Sequence, residues 1–130
     1  MSESVEVIAR VIDAINRGDF DAVLESASDD LEFDFTNSDG PMSAVYRGRD
    51  GAKDFWISFR EPFASVVLES DEIIELEDGR LLSGTTVRVR GQGSGVDVSA
   101  TGAWVWTVRN GKVAAVKMFQ SKAEALEATG

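Results

Sequence analysis

The sequence predicts an α+β fold: a cone-shaped, curved, mostly antiparallel sheet with three helices packed in its concavity and a short C-terminal helix. Three observations carry this. Two helical stretches come before any long strand. A third separates one early strand from the rest. From about residue 64 onward the chain reads as a run of long strands joined by turn signals. Helices gathered apart from an antiparallel run are the α+β pattern. The 130 residues imply one domain, 1–130, large enough to bury a core.

Val5, Ile8, Val11, Ile12 and Ile15 recur at helical spacing, with Glu6, Arg10, Asp13 and Arg17 opposite. Ser2 or Ser4 caps this first helix and Gly18 stops it. Asp19 then caps a second helix whose apolar stripe is Phe20, Val23 and Leu24. Leu31 to Thr36 alternates at period two and reads as the first strand. "NSDGPMSAVYRGRDG" reads as a loop built around Gly40-Pro41, with Asn37, Ser38 and Asp39 as turn formers. The third helix, "RDGAKDFWISF", carries Phe55, Trp56 and Phe59 and ends at Pro62. Strands follow in "ASVVLESDEIIE", "RLLSGTTVRVRG", "VDVSATGAWVWTVR" and "KVAAVKMF". Asn110-Gly111 is the strongest hairpin signal in the chain. "GQGSG" lacks the Gly-Lys-Ser/Thr ending of a phosphate loop and reads as a hairpin turn. Ser121 caps the closing helix.

Composition narrows the function. Lys and Arg total 13 against 23 Asp and Glu, a net charge of −10. That balance repels a phosphate backbone and an anionic bilayer, so neither nucleic acid nor a membrane is expected as a partner. With no Cys and no His, imidazole or thiolate metal sites and His-based acid–base chemistry are excluded. No metal and no organic cofactor is expected. "MSESVEVIAR" has acids where a signal peptide needs a basic region. No apolar run approaches the roughly 20 residues of a membrane span, and a cytoplasmic location is the resulting expectation.

The phrases "INRGDFDAVLE", "DDLEFDF", "VYRGRDGAKDFW", "WVWTVRNGKV" and "FQSKAEALEA", in this order, resemble the SnoaL-like branch of the nuclear transport factor 2-like superfamily. The resemblance covers nearly the whole chain. It implies the ketosteroid isomerase and polyketide cyclase type of fold, with a small-molecule cavity inside the cone. It does not carry over the known mechanisms. The tyrosine of similar ketosteroid isomerases falls at Val11, their base at Phe35 beside Asp34, and their protonated acid near Ala103 or Trp104. The acid of similar epoxide hydrolases falls at Met118.

The sequence therefore predicts a cone with an aromatic, apolar pocket for a flat hydrophobic ligand. A cofactor-independent isomerase, cyclase or hydrolase-type activity is one outcome. A non-catalytic binding or dimerisation module that keeps the fold is the other. Phe33 and Phe35 are expected to face the pocket, and alternation then sends Asp34 outward. Asp34 and Tyr46 are the candidates if there is proton transfer. Trp104 and Trp106 share one strand face and are assigned to the pocket wall, opposite Phe55, Trp56 and Phe59. Val11 joins them from the first helix. Val116, Met118 and Gln120 form one row of the last strand, with Gln120 as its polar end. Phe119, Lys117, Arg88 and Arg90 fall on the convex face, where the resemblance implies a homodimer.

Overall fold

The protein is described here by a computed structural model covering residues 3–37, 43–93 and 96–129. The Gly40-Pro41 turn with Ser38 and Asp39, the Ser2 cap and Ser94-Gly95 lie outside the described residues. Along the chain run α1 (Glu3–Arg17), α2 (Phe20–Glu25), β1 (Ala27–Asp34), β2 (Val45–Arg47) and α3 (Gly48–Arg60). Then come β3 (Phe63–Glu75), β4 (Leu81–Gly91), β5 (Asp97–Arg109), β6 (Lys112–Phe119) and α4 (Lys122–Thr129).

The sheet order is β2-β1-β6-β5-β4-β3. Only β1 and β6 run parallel; the other neighbours are antiparallel. β2 was expected as loop. Three residues are too few to show a period, yet they pair with β1 through Phe33 opposite Tyr46 and Asp34 opposite Val45. β1 also starts at Ala27 rather than Leu31, because the Val113 N–H donates to the Ser26 carbonyl (2.8 Å) and draws this segment alongside β6. The Asn110-Gly111 turn has positive φ at both residues, 53° and 75°, as a tight hairpin turn between β5 and β6 requires.

Curvature comes from irregular pairing. Register shifts fall between Ser70 and Ile73, between Ala27 and Glu32, and between Thr107 and Val108. Each such bulge bends its strand. At the β3 bulge Asp71 accepts a hydrogen bond from the Gly84 N–H (2.8 Å) and pairs with Lys122 at the start of α4 (2.7 Å). A Cβ at Gly84 would fall on that carboxylate and on the Lys122 side chain, so a larger residue there would displace this ion pair.

The concave face holds the main core: Val7, Ile8 and Val11 of α1 against Leu31, Leu81, Trp106, Val113 and Val116. Asn16 adds a clasp on edge strand β3. Its amide donates to the Leu68 carbonyl (2.9 Å) and accepts from the Leu68 N–H (2.7 Å), as a neighbouring strand would. The convex face has a smaller core, in which Leu82, Ala103, Val105 and Phe119 pack with Ala125 of α4. This is why Leu81 to Thr85 of β4 are buried without alternation: both faces of that stretch are covered. It also removes Phe119 from the expected convex contact patch, since its ring is 4% exposed beneath the chain's own helix. Arg88 and Arg90 are likewise engaged within the chain, by Glu69 and Asp97 respectively.

Candidate functional site

The cone encloses a cavity of about 130 Å³ between α1–α3 and the sheet. Three adjacent strands, β1, β6 and β5, supply most of its back wall. Leu31 and Phe33 of β1, with Phe35 just beyond it, project inward at alternate positions. Trp104 and Trp106 of β5 lie beside them, their rings 5.7 Å apart. Val113 and Val116 of β6 fill the gap between those strands. Helix α3 closes the opposite side. Phe55 stacks on Phe59 (5.4 Å, planes 8° apart) and meets Phe33 edge-on at 4.7 Å. Trp56 packs against Phe20 of α2 at 5.1 Å. These contacts, one stacked, one tilted and one edge-to-face, are of the kinds that hold aromatic clusters together.

Nine of the predicted ligand-contacting residues line this cavity: Val11, Phe33, Phe35, Phe55, Trp56, Phe59, Trp104, Trp106 and Val116. Met118 and Gln120 do not. Met118 is buried opposite Trp104 on the neighbouring strand. Gln120 follows the end of β6, where the chain turns toward α4. It is exposed and donates to the Asn37 carbonyl (2.5 Å). The row Val116-Met118-Gln120 therefore ends before its polar member reaches the cavity.

Neither proton-transfer candidate lines the cavity. Asp34 faces away from it, opposite Lys117 in the β1–β6 register. Its carboxylate accepts from the Thr36 N–H (3.0 Å) and the Thr36 hydroxyl (2.6 Å), and Lys117 Nζ stands 3.7 Å away. Burial pushes this carboxyl upward, but the Thr36 hydrogen bonds and the Lys117 charge outweigh it, and the net shift is downward. Such a group stays ionised at neutral pH and is a weak base. Tyr46 packs its ring on Phe55 at 4.9 Å and is also absent from the lining.

Sequence reasoning missed several wall residues. Ile15, Phe20 and Val23 belong to the apolar stripes of α1 and α2, whose pattern alone gives no destination, and they border the cavity. Ala52, Val66, Leu68 and Val87 do so too. The most informative omission is Arg60, the one charged residue among those that line the cavity. Its guanidinium carbon sits 4.6 Å over the Trp56 ring, and Nη1 donates to the Ile15 carbonyl at the end of α1 (3.2 Å). The i,i+4 spacing of Trp56 and Arg60 on α3 was the signal available in the sequence.

Solved structures share this architecture. TerC, crystallised with polyporic acid, superposes with a TM-score of 0.78 at 20% identity over 97% of each chain. RV0760c from Mycobacterium tuberculosis, in complex with estradiol-17beta-hemisuccinate, gives 0.77 at 11% identity over 92% of this chain and 94% of that one. A putative SnoaL-like polyketide cyclase from Jannaschia sp. CCS1 gives 0.73 at 17% identity, covering 97% of this chain and 90% of that one. At these identities the likeness is one of fold. No curated protein gives a significant match. A profile of the SnoaL-like domain matches residues 8–116, most of the length from α1 through β6. The chain belongs to the SnoaL-like domain family.

Proposed function

We propose that the protein binds a small, flat, hydrophobic molecule inside the cone, as a binding module rather than a proton-transfer enzyme. The observation that carries this is the lining. It is aromatic and aliphatic throughout, with Arg60 its only charged member among the described residues. A preformed apolar concavity with very few polar groups is the usual form of a small-molecule site. General acid–base catalysis needs a titrating group within reach of the substrate, and Asp34 and Tyr46 stand outside the lining. The ligands of TerC and RV0760c are consistent with a ring-bearing guest.

Size sets the geometry of such a guest. An apolar cavity of roughly 150 Å³ takes one benzene ring. At about 130 Å³ this one encloses a single ring, and a larger ring system must extend through the mouth. The neutral probe 2-acetylnaphthalene is expected to bind with a Kd on the order of 0.1 mM, measured by calorimetry. No binding up to its solubility limit would remove the reading.

The same proposal includes a homodimer through the part of the convex face that α4 leaves open. Val67 and Ile74 of β3 and Leu126 of α4 are exposed there, at 38%, 39% and 49%. Sedimentation equilibrium at high micromolar concentration is expected to show dimer, and monomer alone would refute it.

A further inference from the structure

We infer that Arg60 makes the cavity selective for hydrophobic acids: the ring body enters the cone and an anionic head, a carboxylate or its like, pairs with the guanidinium at the mouth. The inference rests on the cavity being a binding site and names the chemistry of its ligand.

Three observations converge. Arg60 is the last residue of α3, is half-buried, lines the cavity and reaches across to the end of α1. It is held from two sides, by the Trp56 ring and by the Ile15 carbonyl. A guanidinium fixed in this way has already lost much of the rotamer freedom that binding would otherwise cost. Among the described residues Arg10, Arg60 and Arg109 are the arginines in no ion pair, and of these only Arg60 lines the cavity.

Donor arithmetic points the same way. A guanidinium has five N–H donors in a planar fork. The Ile15 carbonyl takes one, which leaves donors free for a carboxylate. Burial lowers the pKa of Arg60 from its ordinary value, yet an arginine remains protonated in a protein at neutral pH. The net charge of −10 opposes any anion at long range, but salt screens that repulsion beyond about 8 Å. A contact at hydrogen-bond distance is screened far less. The cavity interior cannot satisfy a polar head, because its other lining side chains carry no charge and are aromatic or aliphatic. Head at the rim and body inside is therefore the arrangement that leaves no polar group stranded.

Two probes of matched shape test this: 2-naphthoate, which is anionic, and 2-acetylnaphthalene, which is neutral. With the wild-type protein in 0.15 M salt, calorimetry is expected to show the acid binding at least about tenfold tighter, the lower end of what a hydrogen bond to a charged group contributes. Arg60→Met should abolish that preference while retaining binding of the neutral probe. Arg60→Lys should keep only part of it, since an ammonium lacks the fork. Equal binding of the two probes to wild type overturns the inference and leaves the cavity reading intact. So does an acid preference that survives in Arg60→Met. Binding of neither probe overturns both. If Arg60→Met fails to fold, the wild-type ratio and Arg60→Lys decide.

Discussion

Replacing Trp106 by Ala is expected to lower the stability of the fold by about 3–5 kcal/mol. The ring is 1% exposed and is the largest fully buried side chain. It forms the floor of the cavity and packs among Leu81 of β4, Val113 and Val116 of β6 and the residues of α1. Strands held by ladders on both sides cannot collapse into the space it leaves, so the cavity term adds to the lost transfer energy. Its Nε1 also donates to the Ser83 hydroxyl at 3.0 Å. That hydroxyl keeps Thr85 as a partner at 3.2 Å, so the lost hydrogen bond adds only about 1 kcal/mol. Domains of this kind have roughly 5–15 kcal/mol in total, and a fall in Tm of about 10–20 °C should follow. Urea and thermal unfolding of the variant measure it. A cost under about 1 kcal/mol would mean that the ring is not packed as described.

The fold was legible because its elements carry local signals that agree with the tertiary arrangement. The α1 stripe, the Gly18 stop, the Asp19 cap and the Asn110-Gly111 turn all lie where the sequence places them. What escaped were features with no period of their own. β2 is three residues long and exists because β1 offers it a partner edge. The doubly buried stretch of β4 depends on α4, the last helix of the chain, three elements later. The same division holds in the site. Alternation identified Phe33, Phe35, Trp104 and Trp106 as one wall and sent Asp34 the other way. Alternation carried one step too far placed Gln120 inside, because the strand ends at Phe119 and period two ends with it. Arg60 was invisible to hydrophobic patterning, since an arginine in the last turn of a helix reads as a solvated end.

Ala52→Leu is expected to act on stability and binding in opposite directions. Ala52 projects from α3 into the cavity and touches the main core. Leucine is nearly as good a helix former as alanine, so the backbone of α3 should accept it. The substitution adds three carbon atoms to a volume of about 130 Å³. Burying them contributes roughly 0.8 kcal/mol each, and fixing the leucine rotamer costs about 0.5–1 kcal/mol. A net gain of about 1–2 kcal/mol remains if the space is empty in the free protein. The new side chain then occupies the place of the ring, and binding of 2-acetylnaphthalene should weaken at least about tenfold. Urea unfolding and calorimetry on the same variant read both quantities. A loss of about 1–3 kcal/mol would be the signature of overpacking, and would show that the aromatic wall has no room to spare. Increased stability with unchanged binding would locate the probe somewhere other than the cone.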